Sequence, residues 1–261
     1  MKNLRLLIVT SILSCLISFV SFAPIELKKT TFIVPTGWPQ PLYSSTKYPL
    51  TEEGFQLGRN LFYDPILSKD NTISCASCHL QATGFTHVDH ELSHGIEGKI
   101  GTRNSLTLQN LAWSKNFMWD GGVNHLDVQA ITPITSEVEM NETLENVVNN
   151  LQKSEKYVGL FEKAFGTKKI TGQLTLKAVS QFVVSLTTSN SKYDKVKRNE
   201  EEFTEVEQKG YVLFQNHCAS CHKEPLLTNN EFRNNGLPMD ADLKDLGRMK
   251  ITQNNKDSLL F

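Results

Sequence analysis

Cys75-Ala76-Ser77-Cys78-His79 and Cys218-Ala219-Ser220-Cys221-His222 repeat one five-residue pattern at two distant points of a 261-residue chain. In each copy two thiols stand three positions apart and a histidine follows at once, which is the pattern of covalent c-type haem attachment. The sulfurs add to the vinyl groups of one porphyrin, and the adjacent imidazole binds iron from the proximal side. Two intervening residues let both sulfurs reach a single macrocycle while the imidazole lies beneath the metal. The expectation is two haem c groups, attached through Cys75, Cys78, Cys218 and Cys221, with His79 and His222 as iron ligands.

Other uses of the cysteines fit less well. A zinc ion on four thiolates would leave both trailing histidines without a role and would draw its ligands from remote segments. Disulfides within each CxxC would close small strained rings, which are more often redox-active than stabilising. The fifth cysteine, Cys15, lies in the N-terminal segment.

That segment reads as a secretory signal over residues 1–23: Lys2 and Arg5, an apolar run over 6–22, then Ala23. A run of about 17 residues is short for a membrane span, so an uncleaved anchor is the lesser alternative. Lipidated Cys15 is weaker still, because Leu16, Ile17, Phe19 and Val20 continue the run beyond it. Export to the periplasm agrees with the haem motifs, since c-type cytochromes are assembled outside the cytoplasm. With 39% hydrophobic and 21% charged residues and a net charge of −1, the rest reads as a soluble globular protein. The near-zero charge argues against nucleic acid as a partner, which normally demands a basic face. About 240 residues remain after the signal, enough for one large or two small domains, and two haem sites favour two.

Helical patterning dominates, and the expected fold is mostly α. Residues 51–62 predict a helix with Thr51 as N-cap, Glu52 and Glu53 in its first turn, and Asp64-Pro65 as its stop. Further helices are expected over 141–151, over 158–165 before Gly166, over 173–186, and over 204–215 leading into the second motif. Between His79 and Asn141 the chain is rich in Gly, Asn, Thr and Asp. Its Phe85, Leu106, Leu108, Leu111, Trp113, Phe117 and Trp119 are nonetheless too apolar for a disordered linker, so this is an ordered loop that builds a site. The charged run 192–207 predicts a solvated hinge, dividing an N-terminal haem domain, 24–195, from a C-terminal one, 196–261.

Several stretches fall in one order: Gly58-Arg59-Asn60-Leu61-Phe62-Tyr63-Asp64-Pro65-Ile66-Leu67-Ser68, the first CASCH, Gly101-Thr102-Arg103-Asn104, Trp119-Asp120-Gly121, residues 129–140, Leu186-Thr187-Thr188-Ser189-Asn190-Ser191, the second CASCH and Asp245-Leu246-Gly247-Arg248. In this the chain resembles the bacterial dihaem cytochrome c peroxidases and their MauG-like relatives. The resemblance implies two cytochrome c-like helical haem domains. The Cys75/Cys78/His79 haem would be the peroxidatic one, and the Cys218/Cys221/His222 haem would pass electrons from a small cytochrome c or cupredoxin donor. It implies hydrogen peroxide as substrate, and dimers are common in the family.

Residue by residue, the resemblance matches Gln129, Pro133 and Glu139 to the family's distal machinery. Glu139 would be general base and then general acid at the O–O bond, Gln129 its hydrogen-bonding partner, and Pro133 a shape element of the pocket. On residue type alone, Glu139 is one carboxylate among Glu137, Glu142 and Glu145 ahead of a helix, where the dipole favours acids. Trp119 matches the tryptophan between the haems, although a lone tryptophan is ordinarily core. Asn104 matches a residue that helps bind calcium between the domains; an Asn closing a turn after Gly101 is the simpler reading.

The chain departs from the pattern in three places. Many members carry a second, distal histidine on the peroxidatic haem; His94 is nearest to it, with His87 and His90 in the same loop, and the ordinary expectation for each is a surface histidine. Gly122 stands where arginine usually follows. Asp257-Ser258-Leu259-Leu260-Phe261 resembles the start of a family motif that normally continues, which implies an incomplete second domain. The remaining calcium ligands and the distal methionine of the second haem would then lie beyond Phe261, with Met239 and Met249 as substitutes. Two other functions stay open on these residues: a dihaem electron carrier without peroxide turnover, and MauG-like oxidation of a protein substrate.

Overall fold

Thr51 does cap the first long helix, α1 (Glu52–Tyr63): its hydroxyl accepts from Gly54 N at 3.0 Å, and Asp64 in extended conformation ends the helix. In this computed structural model residues 29–30, 32–43, 46 and 49–261 are described, so the expected signal segment 1–23, with Cys15, lies outside the described residues. In chain order the later helices are α2 (Cys75–Cys78), α3 (Leu126–Gln129), α4 (Ile131–Thr135), α5 (Leu144–Lys153), α6 (Glu155–Phe165), α7 (Gly172–Val184), α8 (Lys192–Lys197), α9 (Glu205–His217) and α10 (Met249–Thr252). Among the described residues extended pairing is limited to isolated bridges, so the mostly α expectation holds.

The core forms where α1 packs on α7, with α5 and α6 alongside. From Leu174 to Val184 every residue of α7 is buried, which makes it the central helix. Even Lys177 is inside, its ammonium 3.1 Å from Asp127 Oδ2 and 2.6 Å from the Tyr43 hydroxyl, so that the buried charge is paired. Gly58 allows the two helices to approach: a Cβ there would lie 2.0 Å from the Ala178 carbonyl oxygen and 2.9 Å from Phe182 Cβ. Gly58→Ala would gain about 1 kcal/mol of helix propensity, but overpacking against fixed atoms costs about 1–3 kcal/mol or more. A carbonyl of a neighbouring helix cannot rotate aside, so the clash wins. The expected result is a Tm lower by roughly 2–8 °C in thermal unfolding.

Some boundaries differ from the sequence reading. Helix α5 starts at Leu144 and not at 141, because Asn141 sits at φ 47° and Thr143 caps the helix by accepting from Asn146 N. Helix α6 begins three residues earlier than expected and ends, as expected, at Gly166 in the left-handed region. The charged run is not hinge throughout: Ser191 and Asp194 form a capping box that starts α8, and the 195/196 boundary falls inside this helix. Helix α9 is capped by Thr204 and runs into Cys218, and none of its side chains is buried.

Candidate haem sites and distal pocket

The two CASCH segments share their hydrogen bonds although the first is a short helix, α2, and the second a turn after α9. In each, the histidine amide donates to the carbonyl of the first cysteine at 2.9 Å, from His79 N to Cys75 O and from His222 N to Cys218 O. Each imidazole then turns its Nδ1 toward a backbone carbonyl further along the chain: Phe85 O at 2.9 Å for His79, and Leu227 O at 3.1 Å for His222. A carbonyl only accepts, so Nδ1 carries the proton and Nε2 keeps its lone pair. That is the arrangement of a metal-ligating histidine whose ring is oriented by a backbone acceptor. Burial lowers the pKa of His79, which favours the neutral, ligating form. The four motif cysteines are free thiols, and burial pushes that of Cys75 up to about 12. These residues fit haem c at both sites. The sites are unequal in setting, since Cys75 and Cys78 are half-buried while Cys218, Cys221 and His222 are exposed.

Glu139 lies at the first site. A tight turn places it: Glu139 N and Asn141 N both donate to Ser136 O, and Met140 N donates to Pro133 O at 3.2 Å. Burial raises the pKa of the Cys78 thiol, and the Glu139 carboxylate is near enough to raise it further. The Glu139 pKa is itself raised by burial, against a hydrogen bond from Ser136 that lowers it. The histidine loop closes over this turn. Ile96 N donates to Glu139 O at 2.9 Å, the Cys78 thiol points at His94 O at 3.5 Å, and a Cβ on Gly95 would lie 2.1 Å from Val138 O. Glu139, Pro133, Cys78 and His94 therefore come together. Gln129, half-buried at the end of α3, turns its Nε2 to Met118 Sδ at 3.6 Å.

The surface expectation fails for one histidine of the loop. His87 is buried, with its Nδ1 enclosed and unpartnered, while His90 and His94 are exposed. The three rings form a column with centroids 4.0 Å apart, at 24° between the first pair and 8° between the second. Trp119 is not core either, being 39% exposed; the buried tryptophan is Trp113. Trp119 Nε1 donates to Asn104 O at 2.9 Å, and the Asn104 side chain accepts from Ser105 N and donates to His87 O. Both Asn104 amide atoms thus serve the loop itself. Met239 is exposed and Met249 opens α10.

Sequence reasoning missed the charges around this pocket. Arg103, Asp120 and Asp245 form one ion network although Asp245 is 142 residues from Arg103. The only trace in the sequence is that all three lie in stretches matching the family pattern. Among the described residues no group of three or more His, Cys, Asp or Glu side chains could hold a metal ion, and no helix is long and apolar enough to cross a membrane.

A mostly helical chain presenting two such histidine–cysteine sites is that of a c-type dihaem protein. The chain belongs to the di-haem cytochrome c peroxidase family, whose model matches residues 52–202. It is 34% identical over 219 residues to methylamine utilization protein MauG of Methylophilus methylotrophus, covering 82% of this chain and 63% of that protein. It is 33% identical over 221 residues to cytochrome c peroxidase Ccp of Escherichia coli, covering 82% and 47% respectively. Its fold matches the crystal structure of a MauG-like protein associated with microbial copper homeostasis with a TM-score of 0.79, at 27% identity, over 89% of this chain and 73% of that one. The chain spans 63% and 62% of the lengths of two MauG relatives.

Proposed function

We propose that this chain binds two haem c groups through its CASCH motifs and reduces hydrogen peroxide to water in the periplasm. Two electrons would come from a small donor protein, a cytochrome c or a cupredoxin. The observation that carries this reading is Glu139, a half-buried carboxyl group beside Cys78 whose pKa burial raises. The overall change is one peroxide, two protons and two electrons to two waters. The haems, when bound, supply the iron that receives peroxide at one site and relay electrons from the other. Glu139 would take a proton from one peroxide oxygen and return it to the departing one. A carboxyl group with a raised pKa suits both halves of that transfer, as a stronger base first and a readier proton store next.

Gln129 orients the substrate. The Met118 sulfur to which its amide now donates is a weak acceptor that a peroxide oxygen readily replaces. Pro133 holds Met140 by its carbonyl and so fixes the turn that carries Glu139. His94, exposed and with its backbone carbonyl beside the Cys78 thiol, would be a further residue able to hold iron at this site. Trp119, whose indole is held by Asn104 O, would carry electrons between the two sites.

The test is direct. The protein matured with haem should give two haems per chain by pyridine haemochrome, and should oxidise two equivalents of a reduced small cytochrome c for each peroxide added. Two reducible haems with no peroxide-dependent oxidation of the donor would refute the reading.

A further inference from the structure

Arg103 uses three nitrogens on two carboxylates. Its Nε donates to Asp245 Oδ2 at 2.6 Å and its Nη2 to Asp245 Oδ1 at 2.9 Å, while Nη1 donates to Asp120 Oδ2 at 2.6 Å. The pair with Asp245 is a two-point fork, which fixes distance and angle together. The network is mostly enclosed, with side-chain exposures of 20% for Arg103, 11% for Asp120 and 12% for Asp245. Breaking it would strand a charge away from water, a larger loss than an exposed ion pair could cause.

The geometry around the network concerns Trp119. Arg103 precedes Asn104, whose carbonyl receives the indole N–H, and Asp120 follows Trp119. The indole is therefore tied on both sides: its ring to Asn104, and its neighbour Asp120 to Arg103. A second tie comes from the segment after the second CASCH, where Arg248 Nη1 donates to Asp120 O at 2.8 Å and stacks over Phe232 at 4.1 Å. Gly121 has no room for a side chain there, since a Cβ would meet Phe232 Cζ at 2.3 Å and Arg248 Nη1 at 2.7 Å. Gly247 N and the Lys250 ammonium also bond Asp245 Oδ1, at 3.0 and 3.3 Å. Arg103 holds the Asp245 carboxyl well below the usual carboxylate range, so the fork stays ionised across neutral pH.

We propose that Arg103 is a positioning residue for electron passage: its fork on Asp245 and its third bond to Asp120 hold Trp119 against the segment that follows the second haem motif. This rests on the dihaem peroxidase reading. Each peroxide reduced needs two electrons to cross, and each crossing oxidises the second site by one electron and reduces the first by one. Tunnelling falls steeply with distance, so a loosened indole slows the crossing without touching the peroxide pocket.

Arg103→Lys keeps the charge and loses the fork; Asp245→Asn keeps the shape and loses the charge. In the haem-loaded protein, the second haem is reduced by a fast pulse and arrival of the electron at the first is followed spectroscopically. Both variants are expected to slow that step tenfold or more and to speed hydrogen exchange over residues 118–122. The rate at which peroxide reacts with fully reduced protein should not change. Asp245→Glu should recover part of the rate, which a general loss of stability would not allow. Transfer within twofold of the parent in both Arg103→Lys and Asp245→Asn would overturn the proposal, even where only one of them matures with two haems. A parent protein that passes electrons but turns over no peroxide would refute the peroxidase reading alone, and slowed transfer in Arg103→Lys would still support the clamp.

Discussion

Glu139→Gln is expected to lower peroxide turnover by about 10²–10⁴-fold, the usual contribution of one positioned acid–base group, with two haems still attached. The amide matches the carboxyl group in shape, so the turn held by Ser136 and Pro133 should persist and the loss should fall on turnover. The pH dependence carries a sign. Burial raises the Glu139 pKa, so the group gains its proton at a higher pH than an exposed glutamate with a pKa of about 4.3. Its role as base begins with the ionised form. kcat/KM should thus fall as pH drops through the raised pKa, with an acid limb above that ordinary value. Glu139→Asp should keep a limb at reduced rate, while Glu139→Gln should show none. Turnover in Glu139→Gln within threefold of the parent, with its limb intact, would assign proton transfer to another group.

The parts of this site that could be read from sequence are those whose chemistry is local. A CASCH motif needs only five consecutive residues, and the cap at Thr51 and the stop at Asp64-Pro65 depend on neighbours a few positions away. The capping box that starts α8 was equally local, in Ser191 and Asp194, but the density of charge around it suggested a hinge. What could not be read depends on chain crossings. The sequence contains nothing to pair Arg103 with Asp245 or Lys177 with Asp127, and Lys177 sits in a helix otherwise apolar enough to suggest only burial. The exposure of Trp119 and the burial of His87 likewise follow from how the loop over residues 80–140 folds back on itself. Local rules see the residue types there but not the return path. Glu139 falls between the two cases: its turn is local, and the burial on which its proposed role rests comes from the lid that the histidine loop places over it.

Phe62→Ala is expected to cost about 3–5 kcal/mol, the usual range for removing a buried phenylalanine. Against a total stability of about 5–15 kcal/mol this is roughly a fifth or more of what holds the fold. Phe62 is 1% exposed and stands at the centre of an aromatic group, with ring centroids 4.9 Å from Phe182, 5.2 Å from Tyr63 and 5.9 Å from Phe85. Phe182 belongs to α7 and Phe62 to α1, so the cavity would open at the main helix contact. Phe85 links this core to the first haem site, because its carbonyl accepts from His79 Nδ1, 2.9 Å away, and its backbone is strained at φ 61°. A non-glycine residue keeps that conformation only where its surroundings impose it. Once Phe62 is truncated, Phe85 loses one wall of its slot and the carbonyl that orients His79 can relax. The variant should therefore show two separable effects: a lower denaturant midpoint, and a first-haem spectrum and potential that shift while the second haem, held through Leu227, keeps its own. Phe62→Leu, which refills most of the volume, should recover most of both. A destabilised Phe62→Ala protein whose first haem is spectroscopically unchanged would separate the core from the orientation of His79 and leave only the packing half of the account.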